Sequence, residues 1–173
     1  MLGLGSLYLF RLVHIVAGVM WVGAAVFAAF FLLPSIRAIG PAGGPLMEHL
    51  TQVKRFPLYM MVLAILTVLS GLGLYWHDSA NFSGVWMHSG SGRTFGAGGL
   101  LAIVVVILGM TIVTPAAKRL GVLAGSMKAG GPPQPELVAE MQALQARMGR
   151  FTSIVAILLL IAAALMAVAR YVP

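Results

Sequence analysis

Hydrophobic positions fall into four long runs, separated by stretches that hold nearly all of the charge. Leu7–Leu33, Pro57–Trp76, Thr94–Thr114 and Phe151–Tyr171 each supply the roughly 20 residues that a helix needs to cross a hydrocarbon core. The pattern predicts an all-α integral membrane protein: a four-transmembrane-helix bundle, one domain over residues 1–173, with helices at about 7–33, 57–76, 94–114 and 151–171. The first run is much longer than the apolar region of a signal peptide. It is expected to be a retained helix.

The links between runs have a pattern of their own. In Pro45–Phe56, the residues Leu46, Met47, Leu50 and Val53 recur at helical spacing, after a proline suited to a first turn. Pro135–Arg150 aligns Leu137, Met141, Leu144 and Met148 and leads straight into the fourth run. Both read as helical extensions that pack together or lie on the membrane surface. Ala129–Pro135, rich in glycine and proline, reads as a breaker and a mobile turn. A faint duplication also shows: Pro34, Arg37 and Gly40 match Pro115, Lys118 and Gly121 in P-x-x-[RK]-x-x-G, and Arg55-Phe56 matches Arg150-Phe151. That predicts a weak 2+2 parallel repeat.

Composition agrees with the runs. Of 173 residues, 60% are hydrophobic and 9% charged, too little polar surface to cover a soluble globule. Lys and Arg set the orientation. Arg37, Lys54 and Arg55 occupy one link, and Lys118, Arg119, Lys128, Arg147 and Arg150 another. Those links are expected in the cytoplasm, which puts both termini and the segment from His77 to Arg93 outside. The expected location is a bacterial inner (cytoplasmic) membrane, crossed several times. The net charge of +7 is then topology signal with some attraction to anionic lipid, and no nucleic-acid partner is implied.

Candidate chemistry is sparse. With no cysteine, thiolate metal sites, disulfides, iron–sulfur clusters and c-type haem attachment are excluded. Glu48, Asp78, Glu136 and Glu140 are the only carboxylates, all placed in links or extensions. No intramembrane acid offers a proton relay, and whether the protein is an enzyme stays open.

His14 is the exception, an ionisable group near the start of an apolar run, and such a group is costly enough to mark function. By helical rise it belongs in the outer leaflet, with His77 arriving at a similar level. His14, Gly18, Val22, Ala25 and Ala29 share a helical face, and Ser70, Gly73 and His77 share another. Gly96, Ala97, Gly98 and Gly99 open the third run. Two accounts fit this thinning of side chains. Small residues let membrane helices approach closely. Alternatively they make room for a flat cofactor, haem b, with His14 as axial ligand and Arg11, Arg93 and Arg170 against its propionates. His49 reads as solvated, and Met87-His88 could hold copper, although an exposed loop is the plainer reading. The 11 methionines are scattered as gap-fillers and form no copper pathway.

Leu12, His14, Trp21, Gly23, Leu33 and Pro34 make up an L-x-H, W-x-G, L-P pattern. It resembles the first helix of a superfamily of small membrane proteins. That superfamily contains the copper-resistance D domain, HemJ-type protoporphyrinogen IX oxidases and uncharacterised relatives. Leu66–Tyr75 resembles its second helix. The resemblance implies a four-helix bundle in which His14 matters and in which some members are associated with haem b. HemJ-type enzymes carry H-x-K at the start of the third helix, whereas this chain reads T-F-G-A-G-G from Thr94 to Gly99. That departure argues against porphyrinogen oxidation and leaves His77 as the candidate second axial ligand, on depth alone. Three functions are therefore carried forward. The first is a haem b protein in electron transfer or redox chemistry at the outer leaflet, with a redox partner. The second is copper transport or resistance, leaning on Met87, His88 and His14. The third is an accessory subunit of a larger membrane complex. A homo-oligomer is compatible with each.

Overall fold

The computed structural model describes residues 3–128 and 135–173, and the breaker at 129–134 lies outside them. Among the described residues all regular structure is helical, with no strand. Four helices are long and apolar enough to cross a membrane: α1 (Leu4–Ile39), α2 (Phe56–Asp78), α3 (Gly90–Ser126) and α4 (Pro135–Tyr171). They carry the pattern of a multi-pass membrane protein. Large apolar side chains such as Val19, Leu69, Leu100 and Ile157 stand exposed on their outer faces, which a lipid-facing surface tolerates and an aqueous one does not.

Successive helices run antiparallel. α1 packs most extensively on α2 and α3 on α4; α1 also meets α4, while α2 and α3 touch less. The core is correspondingly fine-grained. Ala17, Ala25 and Ala64 are buried beside Trp21, Leu63, Val105 and Leu159, so small residues bring helix axes together around a few large ones. The smaller side chains of the shared face of α1 thus serve packing along much of its length.

Three helices run beyond the expected bounds, and proline shows how. Pro34 and Pro115 lack an N–H, and each ring would press on the carbonyl of residue i−4. Ahead of each the helix widens into a π turn, over Ala28–Leu32 and Gly109–Val113. Leu33 N–H reaches back to Ala28 O, and Thr114 N–H to Gly109 O. The widened turn accommodates the ring, so α3 continues past Thr114 to Ser126. Pro135–Val168 is likewise one helix, with the Pro135–Arg150 stripe as its first part.

These extensions pack together. Leu123 and Met148 are buried, and the Arg119 guanidinium donates twice to Glu140, at 2.7 and 2.9 Å. Arg37 Nη2 donates to Gln145 O at 2.6 Å, joining the end of α1 to α4. The other link behaves differently. Gly44–Glu48 is helical and His49–Val53 a π turn, but Leu46 and Val53 stay exposed. Arg55, in the left-handed region at φ 50°, then turns the chain into α2.

Candidate functional site

At the end of the bundle that holds both described chain ends, the four helices enclose a cleft of about 590 Å³, within the range of roughly 300–1,000 Å³ usual for small-molecule sites. α1 contributes Arg11, His14 and Ile15; α2 contributes one side from Thr67 to Asp78; α3 contributes Phe95, Gly96, Gly99 and Leu100; α4 contributes Met166 and Arg170. Phe82 and Trp86, from the connection between α2 and α3, complete the wall.

The histidine is held by backbone. His14 Nδ1 lies 2.8 Å from Thr67 O, and because a carbonyl can only accept, Nδ1 carries the proton. Ser70 Oγ, 3.4 Å from the same nitrogen, also faces Thr67 O at 3.2 Å. In a neutral imidazole the other nitrogen, Nε2, then holds the lone pair. Among the described residues Nε2 has no hydrogen-bond partner. The ring packs against Gly71, where an added Cβ would come within 2.7 Å of Cε1 and 3.0 Å of Nδ1. An anchored Nδ1–H and a free Nε2 form the arrangement in which protein histidines bind metals.

Beyond the histidine the wall is aromatic. Tyr75 meets Trp86 edge-on at 5.2 Å, and Trp86 stacks on Phe95 at 6.4 Å. Tyr75 also contacts Phe82 at 6.3 Å, and its hydroxyl donates to Gly92 O at 3.2 Å. Ser89 caps α3 by accepting from Gly92 N–H at 3.1 Å, and it ties back through its own hydroxyl to Trp86 O at 2.7 Å. The segment 79–83 folds tightly around buried Ser79, with Ala80, Asn81 and Phe82 all at positive φ. Phe82 N–H closes that turn on Ser79 Oγ at 2.9 Å.

No protein-family model, curated protein or solved structure matches the chain. Function therefore has to be argued from the site itself.

The structure brings together His14, Arg11 and Arg170 of the residues singled out by sequence, with Gly96 and Gly99 on the wall of α3, and leaves His77, Arg93, Gly18 and Gly73 outside the cleft. Gly18 packs on Thr67 Cγ2 at 3.5 Å from an added Cβ, and Gly73 packs on the Phe10 ring. Both serve the contact between α1 and α2. Arg93 is exposed in the first turn of α3. His77 stands beside Asp78, 3.3 Å from its Oδ1, and it is Asp78 that reaches the cleft wall. Met87 and His88 are also absent from the wall, and His88 is exposed. No cluster of three His, Cys, Asp or Glu side chains with metal-binding geometry occurs among the described residues. Sequence reasoning missed Thr67, Gly71, Tyr75 and Met166. Only Gly71, two positions from Gly73, carried a signal that could have been read.

Proposed function

We propose that the cleft binds haem b and serves electron transfer or redox chemistry at the outer leaflet, with His14 Nε2 as axial ligand. The observation that carries this reading is the 2.8 Å bond from His14 Nδ1 to Thr67 O inside a cleft of about 590 Å³, which fixes ring and tautomer before any ligand arrives. Gly99 faces open space, with no atom within 4 Å of an added Cβ, and leaves room for a flat ring. Arg11 and Arg170 suit two propionates. Met166, the one soft donor on the wall, would be the second protein ligand to such a group, in place of His77. Haem in such a site supplies one-electron chemistry; the chain anchors the ligand, pairs the acid groups and limits water.

His14→Ala is expected to remove the haem b bands from the dithionite-reduced spectrum of the detergent-purified protein. Met166→Leu is expected to keep the haem but change its spin state. An unchanged spectrum in His14→Ala sinks the reading, and copper in a metal analysis of haem-free protein would favour the copper alternative. A stoichiometric partner after gentle solubilisation would favour an accessory subunit or a redox partner.

Orientation and ancestry belong to the same proposal. On this reading both termini lie outside a bacterial inner membrane, and the excess of Lys and Arg in the two links supports it. Because the chain lacks cysteine, single substitutions Ser83→Cys and Ser126→Cys read this directly. An impermeant maleimide is expected to modify the first in intact cells and the second only after permeabilisation; the reverse pattern inverts the topology. A parallel 2+2 repeat is supported by the two π turns, which begin at Ala28 and Gly109, 81 residues apart, the same offset that relates Pro34 to Pro115. His14 and Phe95 share that offset, and both line the cleft. The first half contributes His14, and the second contributes Phe95, Gly96 and Gly99.

A further inference from the structure

Among the described residues the two arginines of the cleft have no carboxylate within ion-pair distance. The contacts of basic groups with carboxylates that are seen, Arg119 with Glu140 and His77 with Asp78, involve neither Arg11 nor Arg170. Long cationic side chains snorkel to an interface on their own. That does not explain why two of them, from the first helix and the last, line one cleft whose sole carboxylate, Asp78, has His77 beside it. The cationic rim is complementary to an acid.

Away from that rim the wall is largely apolar, and its large exposed members are Ile15 of α1, Phe82 of the connection, and a facing pair on α2 and α3. Leu72 of α2 is 46% exposed and Leu100 of α3 is 63% exposed, yet both line the cleft. They flank the seam between the two helices that touch less than their neighbours do. The end towards the 79–89 connection is covered by Trp86, with Tyr75 and Phe95 each against it. An opening edged by leucine rather than by polar groups faces hydrocarbon, where an apolar body passes without desolvation.

We infer that the cleft takes an acid-bearing amphiphile from the lipid phase, sideways through the seam between α2 and α3, with its acid group against Arg11 and Arg170. The inference rests on the reading of this cleft as a ligand site. It names a class to which haem b belongs through its two carboxylates, and to which a long-chain fatty acid belongs equally.

The test uses the full chain in phosphatidylcholine nanodiscs with two probes, hemin and a brominated stearic acid. The bromine quenches indole fluorescence, and Trp86 lies on the wall. Saturable quenching by the acid is expected, with its methyl ester at least fivefold weaker and the saturable part lost in Trp86→Phe. Arg11→Gln with Arg170→Gln is expected to weaken both probes at least fivefold. A bulky maleimide on Leu100→Cys is expected to slow uptake at least fivefold, while the same label on Val85→Cys, 89% exposed and off the cleft wall, leaves it unchanged. Saturable binding of the fatty acid without haem bands supports this inference and removes the haem reading. Absence of saturable binding by either probe overturns it, as does binding indifferent to the arginines. Uptake at an unmodified rate past the Leu100 label overturns the lateral route.

Discussion

Replacing Gly71 with alanine is expected to displace the His14 ring from its anchor, and with it the proposed haem, while the bundle stays folded. The added methyl would sit 2.7 Å from Cε1 and 3.0 Å from Nδ1 of the imidazole, closer than real carbons pack, so the ring has to swing away. In swinging it loses the bond to Thr67 O, which costs about 1 kcal/mol of stability but removes the group that holds tautomer and direction. Losses of that kind typically lower metal affinity about 10–100-fold. A nearby glycine off the cleft wall serves as the control: at Gly18 an added Cβ meets Thr67 Cγ2 at an ordinary 3.5 Å. Haem content of Gly71→Ala is expected to fall at least tenfold below that of Gly18→Ala, with melting temperatures within a few degrees of each other. Equal haem content in the two variants would show that ligation does not pass through His14.

The same geometry explains what sequence could and could not disclose. His14 was legible because one imidazole interrupts an apolar run, and a charged or polar group at that depth has a cost that needs a return. Its anchor was not legible, because Thr67 accepts through its backbone carbonyl, a group every residue carries. Gly71 and Gly73 differ by two positions on α2, which turns them about 200° apart. Composition alone gives no reason to choose the one that faces histidine over the one that faces Phe10. His77 failed to reach the cleft for a related reason. The wall of α2 follows Thr67, Gly71, Tyr75 and Asp78 at steps of four and three, so depth favoured His77 while helical phase selected its neighbour. The bounds of α3 went astray at Pro115, where a proline that usually ends a helix is absorbed by a π turn. The trace of that turn was present in the repeated P-x-x-[RK]-x-x-G, but the motif spells the proline, not the widened backbone before it.

Gly92→Ala is expected to do the opposite of Gly71→Ala, lowering stability while leaving the ligand set in place. A methyl group at Gly92 would overlap the Trp86 carbonyl oxygen and lie 3.0 Å from Met87 Cα. Both are backbone, and neither can rotate aside as the His14 ring can. The segment Gly84–Met87 must therefore shift as a unit. That shift pulls on the Ser89 cap at the start of α3 and on the bond from Ser89 Oγ to Trp86 O, and it unseats Trp86 from Tyr75 and Phe95. Overpacking against a rigid neighbour costs about 1–3 kcal/mol, loss of a cap about 1 kcal/mol, and each aromatic pair about 0.5–1.5 kcal/mol. These terms share atoms and do not add. A loss of about 2 kcal/mol is expected from chemical denaturation in detergent, together with more exposed indole emission from Trp86. His14 takes its bond from α2, at the far side of the cleft from this loop, so haem bands should persist at unchanged wavelength in the folded fraction. An unchanged denaturation midpoint would mean that the segment Gly84–Met87 does not pack on the first turn of α3 as described. A lost spectrum with unchanged stability would mean that the aromatic cover, rather than the anchored histidine, holds the ligand.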